Sequence, residues 1–185
     1  MKKISLIIFI MLSLCSVSQI ERIESIKLDS LIWKKINEYR ISKGIPAFEI
    51  FEDSLMRQFC TRVAYRNIVK DFPVHSDSVG YWSNAECLYS FKVTGFGAKE
   101  LINDISDEKI EFFAEEAVQS WIHSPTHERA ISRPEYNIAT IVSILIIDRD
   151  KESIRFESTY HALDKDHNTF NGYIYSKSRK KIKNK

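Results

Sequence analysis

Residues 107–131 read DEKIEFFAEEAVQSWIHSPTHERAI, and this stretch decides the fold. Ile110, Phe113, Ala114, Ala117, Val118 and Trp121 recur at helical spacing, which predicts a helix over 107–121 with one wide apolar face. Ser106 stands where an N-cap belongs, and Glu108, Glu111, Glu115 and Glu116 mostly decorate the wet side. Ser124-Pro125 then reads as an N-cap and N1 pair opening a short helix through Ile131.

Two strands follow, 138–147 and 153–161, joined by a hairpin turn over Asp148-Arg149-Asp150-Lys151. In the second, Ile154, Phe156 and Tyr160 share one face, with Arg155, Glu157 and His161 on the other. Upstream, Ser30 reads as the N-cap of a helix carrying Leu31, Ile32, Ile36 and Tyr39, stopped by Lys43-Gly44 and Pro46. Asp53 caps a second helix over 53–68, in which Leu55, Phe59 and Val63 mark a stripe that Met56, Cys60 and Ala64 widen. A loop runs through Pro73, His75 and Gly80, and 86–94 reads as a strand or extended segment. Trp121, Tyr39 and Phe113 belong to apolar helical faces and hence to the core. Helices, then a helix, then a hairpin define an α+β layered domain.

The chain has 185 residues, 44% hydrophobic and 28% charged, which suits one globular domain and excludes a disordered one. Its net charge of +2 is too even for a nucleic-acid binder. The ends resolve that sum. Lys2 and Lys3 precede an apolar run from Ile4 to Leu14, and Ser16-Val17-Ser18 supplies small residues before Gln19, so 1–18 reads as a secretory signal peptide. The run is too short to span a bilayer, which takes about 20 residues. Cys15 offers lipid attachment as an alternative, against which stands the bulky Leu14. The mature protein is expected to be exported, whether secreted, periplasmic or at the cell surface, without a transmembrane segment. Residues 19–29 read as a leader into the domain and 164–185 as an extension. Its last ten residues, SKSRKKIKNK, hold six positive charges and no acid, against a net −6 over 19–175. The tail is a solvated terminus or a basic arm for an anionic surface.

Three segments in order carry a resemblance. They are Asn37-Glu38-Tyr39-Arg40 with Gly44; His75-Ser76 with Ala85-Glu86-Cys87-Leu88; and Ala117 to His127 with Trp121 and Ser124-Pro125-Thr126-His127. In this order and spacing the chain resembles the CAP superfamily (the SCP domain family of cysteine-rich secretory and pathogenesis-related proteins) over about residues 30–161. The resemblance implies a three-layer α-β-α sandwich around a central, mostly antiparallel sheet, occupying 30–163. It also implies an open cleft in which His75, Glu86 and His127 match family histidines and a glutamate. The family's fourth, acidic position is Ser124 here. Ala85, Cys87, Thr126 and the late Arg129 also depart from the pattern.

Two imidazoles and a carboxylate are a donor set for zinc or another divalent metal with an open position. The same groups need hold no metal, with Glu86 orienting a histidine by hydrogen bonding. Trp82, in a polar loop near Glu86, is a candidate for the cleft rim. Cys60 and Cys87 remain after cleavage, and an even count in an oxidising compartment permits a disulfide. His123 reads as a surface residue before a cap, and His161 and His167 carry no motif. The leading expectation is a non-enzymatic extracellular binding module with a small ligand, lipid or peptide in the cleft. A metal-dependent hydrolase or peptidase and a structural or adhesive surface protein are the rivals.

Overall fold

The structure is a computed structural model that describes residues 20–76 and 85–164. The segment expected to be a signal peptide, with Cys15, the residue Trp82, and the residues of the basic tail lie outside the described residues. In chain order the elements are β1 (Ile20–Glu24), α1 (Ile26–Ser42), β2 (Glu49–Ile50), α2 (Ser54–Lys70), β3 (Ala85–Thr94), α3 (Phe96–Asn103), α4 (Asp107–Ile122), α5 (Pro125–Ile131), β4 (Ile138–Asp148) and β5 (Ser153–Leu163).

The five strands form one sheet, four of them antiparallel in the order β1-β4-β5-β3, with β2 adding a short parallel pairing to β4. β4 and β5 are its central hairpin. The sequence IATIVSILIID of β4 is apolar on both faces because helices cover both faces. Alternation on β5 separates the layers. Phe156 and Tyr160 meet Phe113 and Trp121 of α4 on one face. On the other, Arg155 and Thr159 donate to α2 carbonyls at Asn67 and Cys60. The chain is thus an α+β sandwich, with α2 on one face and α1, α4 and α5 on the other.

Two departures from the sequence reading concern the N-terminal region. The segment read as a leader contains β1, which pairs with the outer edge of β4. The first helix begins at Ile26, capped by Ser25, whose side chain accepts from Leu28 N at 3.1 Å. Ser30, the expected cap, instead donates back to the Ile26 carbonyl at 2.9 Å. The earlier start wins because it places Leu28 in the buried row with Ile32, Ile36 and Arg40. α3 was not anticipated; Gly95 and Gly97 mask a short helix that buries only Ala98 and Ile102. The other caps at Asp53 and Ser106 are as expected, and Gly44 takes φ +73° just beyond α1.

The Asn37-x-x-Arg40 motif closes this arrangement. Asn37 Oδ1 accepts from Phe48 N at 2.8 Å, and its Nδ2 donates to Phe48 O at 3.3 Å. Arg40 is fully buried and lies 3.7 Å over the Phe48 ring. Its Nε donates to Pro46 O at 2.7 Å, Nη1 to Ile131 O at 2.5 Å and Arg133 O at 3.1 Å, and Nη2 to Tyr136 O at 2.8 Å.

The expected Cys60–Cys87 disulfide is corrected by the fold: both are free, buried thiols. Cys60 sits in the apolar cluster under α2 with Met56 and Val142. Cys87 belongs to the opposite cluster with Trp121 and Tyr160. The sheet lies between them, so no backbone adjustment of ordinary size brings the sulfurs together.

Two outcomes follow. Arg40→Lys keeps the charge but loses the planar fork, and should lower unfolding free energy in urea by about 3 kcal/mol or more. A Cys15→Ser chain, unfolded without reductant, should titrate two thiols that are both protected in the native state; a chain with none would restore the bond.

Candidate functional site

The expected cleft residues gather at the start of β3, the edge strand, where the segment after α2 approaches α5. The fold supplies each from a different element. His75 and Ser76 follow the end of α2, Glu86 is the second residue of β3, and His127 lies in the first turn of α5. Pairing of β3 with β5 sets Glu86 directly opposite His161.

Glu86 organises the group. Its Oε2 lies 2.6 Å from His75 Nδ1 and accepts from Ser76 N at 2.9 Å. Its Oε1 lies 3.1 Å from His161 Nε2 and 3.2 Å from Ser76 N. The His161 approach is an ion-pair distance without good hydrogen-bond direction, and His161 is buried, with Phe59 packed edge-on against its ring at 5.2 Å. Burial alone would raise the Glu86 pKa; the approach of His161 and the bonds from Ser76 outweigh it and bring the pKa down to about 2. The carboxylate is therefore ionised and fully engaged across the physiological range.

His75 is exposed, whereas the Glu86 side chain retains only 10% exposure. With Nδ1 committed to the carboxylate, His75 Nε2 is the nitrogen left for another group. The His127 ring lies 6.1 Å from the His75 ring, centroid to centroid. Burial, and then the charge of His75, hold His127 below the usual imidazole pKa, so it is neutral at physiological pH. Its Nδ1 is buried without a hydrogen-bond partner among the described residues. Ser124 is the N-cap residue of α5, half-buried, and its hydroxyl makes no capping bond. Tyr39, from the first motif, donates to Glu128 beside His127 at 2.7 Å, which ties α1 to α5.

The structure brings His75 and Glu86 into direct contact, with the His127 ring close by, but not as a three-ligand metal set. Among the described residues no group of three His, Cys, Asp or Glu side chains is placed to hold a metal ion. Both Glu86 oxygens already face a histidine nitrogen and the Ser76 N–H. Cys87 turns to the opposite face of β3, where its Sγ approaches the His127 carbonyl at 3.8 Å. Burial raises its thiol pKa well above the ordinary value, as it does for Cys60. Trp82 lies outside the described residues.

Sequence reading missed His161. Its face of β5 was assigned, but its partner was not. The signal was present in the pairing of two strands of like pattern: Glu86 against His161, Ser90 against Glu157, and Lys92 against Arg155. The last two pairs belong to a separate anchor. Arg155 bonds Glu157, Asp71 and the Asn67 carbonyl, and so fastens the end of α2 to the sheet.

No protein-family profile matches the chain, and no curated protein matches it. Among solved structures, an outer surface protein of Borrelia burgdorferi is similar at 13% identity with a TM-score of 0.49; the match covers 78% of this chain and 98% of that one. No helix among the described residues is long and apolar enough to cross a membrane.

The Glu86 contacts make acid stability a direct test. A depressed folded pKa contributes stability that is fully present above the ordinary value of 4.5 and is lost as pH falls toward about 2. Wild type should lose on the order of 3 kcal/mol over that window. Glu86→Gln should start less stable and show a flatter acid limb in denaturant melts across the same pH range. Parallel acid limbs would show that Glu86 is not the titrating clamp.

Proposed function

We propose that this chain is a diverged CAP-like exported protein acting as a non-enzymatic binding module, with its ligand site around His75 and His127. The signal sequence and the three ordered motifs support the family and the export. The single observation that carries the site is Glu86, whose two oxygens are spent on His75, His161 and the Ser76 N–H. A carboxylate so engaged is a positioner. It presents His75 Nε2 outward beside a neutral His127, a pair suited to hydrogen bonding with a polar ligand group. The two described cysteines are buried, with raised thiol pKa values, and face opposite sides of the sheet, which favours binding over nucleophilic catalysis.

Elemental analysis of the purified mature protein tests this directly, together with His75→Ala and Glu86→Gln. The expected result is no stoichiometric divalent metal in any of the three at neutral pH. The two substitutions should loosen the segment at 75–76, visible as faster amide exchange there. One equivalent of zinc in the wild type, lost in His75→Ala, would overturn the metal-free reading and favour the metal-dependent hydrolase.

A further inference from the structure

The sheet edge opposite β3 carries an apolar groove that shares no residue with the histidine site. β1 pairs with β4 from Ile144 to Asp148, and β2 pairs with it at Ile138 and Ala139. Between them, residues 140–143 have no strand partner on that edge among the described residues. A cavity of about 480 Å³ opens there, between the N-terminal ends of α1 and α2. Ile26, Trp33, Ile50, Phe51 and Ile141 provide its apolar lining. Ile26 is 73% exposed and Ile50 56%, so two large aliphatic side chains on its rim face water. Apolar side chains gathered around a concavity, unlike ones scattered singly, mark a docking site.

Three observations select the occupant from this chain. The first is where β5 ends. Leu163, its last residue, pairs with Ile138, which pairs in turn with Glu49 of β2. Strands lie about 4.8 Å apart, so Asp164 leaves the sheet about 10 Å from β2 and the mouth of the groove. The six steps from Asp164 to Phe170 span up to about 20 Å. The N-terminal strand enters far from the groove, because Ile20 pairs with Asp148 at the other end of β4.

The second is the sequence that follows. Residues 170–175 read FNGYIY, with Phe170, Tyr173, Ile174 and Tyr175 as bulky side chains to match an apolar lining. The third is charge. Glu52 and Asp53 line the groove, and Glu49 is exposed beside it. Arg57, the cation of the described lining, is paired with Asp29 at 3.1 Å. Residues 176–185 bring six positive charges and no acid. An aromatic segment thus precedes a basic one, as the apolar groove adjoins an acidic rim.

We propose that residues 170–175 of this chain seat in the groove between α1 and α2, with the basic residues after them along Glu49, Glu52 and Asp53. The segment covers Ile26 and Ile50 and fills the break between β1 and β2. Tethering raises its local concentration to the order of millimolar, so a contact too weak to hold a separate peptide is occupied within the chain.

Disulfide trapping in the full chain tests this. In a Cys15→Ser chain the native thiols are the buried Cys60 and Cys87. Ser54→Cys on the groove wall and Asn171→Cys in the segment then add a reactive pair without removing an apolar contact. Under oxidised glutathione the pair should close within one chain, and Ile50→Asp, at an exposed position, should slow closure at least about tenfold. Salt at about 0.5 M should slow it as well. Without any substitution, amide exchange over 170–175 should be slower than in a free peptide of that sequence. The proposal is overturned if Ile50→Asp leaves the closure rate unchanged, or if those amides exchange as in the free peptide. Cross-linked dimers in place of monomers would overturn it too, and would assign the groove to the segment of a second copy.

Discussion

One buried guanidinium ties together the parts of this chain that secondary structure leaves apart. Arg40 projects from the last turn of α1 and donates to carbonyls at Pro46, Ile131, Arg133 and Tyr136. Those four belong to the loop before β2, the end of α5 and the turn into β4. No shorter or apolar side chain serves, because each carbonyl would then be buried without a donor. The planar fork matches several acceptors at fixed angles, and the Phe48 face covers it. α5, which carries His127, is therefore positioned from α1 through this one side chain.

The second constraint is the sheet itself. Its central hairpin is buried on both faces, so it divides the interior into two apolar clusters that do not mix. That division decides chemistry as well as packing. It parts Cys60 from Cys87, and it sends Glu86 toward the α2 side while Cys87 faces α4 and α5. Arg155 and Glu157 then fasten α2 on one side, as Arg40 fastens the loops on the other. Glu86 repeats the same device at the edge strand, where a carboxylate gathers two imidazoles and a backbone N–H. Cross-strand pairing with His161 gives it a buried partner, and His75-Ser76 are held onto β3 by its carboxylate.

Much of this was legible in the residues, and the reasons are specific. α4 was readable because its apolar positions hold one phase over about three turns and Ser106 marks the start. β4 and β5 were readable because an apolar run and a clean alternation flank a polar turn. His75, Glu86 and His127 could be named from motif order, although Trp82 falls outside the described residues. β1 was hidden because IERIE is a short, half-polar edge strand with little periodic signal. The start of α1 was misplaced because two serines compete as caps, and only the burial of Leu28 separates them.

The sequence by itself determined most of the local elements, the α+β class and the candidate residues His75, Glu86 and His127, since helical phase, strand alternation and capping are properties of neighbours along the chain. The tertiary structure alone decided what those residues do. Whether Glu86 is a ligand or a positioner depends on which groups reach its two oxygens, and His161 arrives from a strand 75 residues away in sequence. Whether two cysteines can join depends on which face of a sheet each one points to. Whether Asp29 is a solvated first-turn acid or a buried carboxylate depends on Arg57 reaching it from α2 and on Ser143 of β4. Each is a question of distance through space, which register, layering and burial settle and which spacing along the chain does not encode.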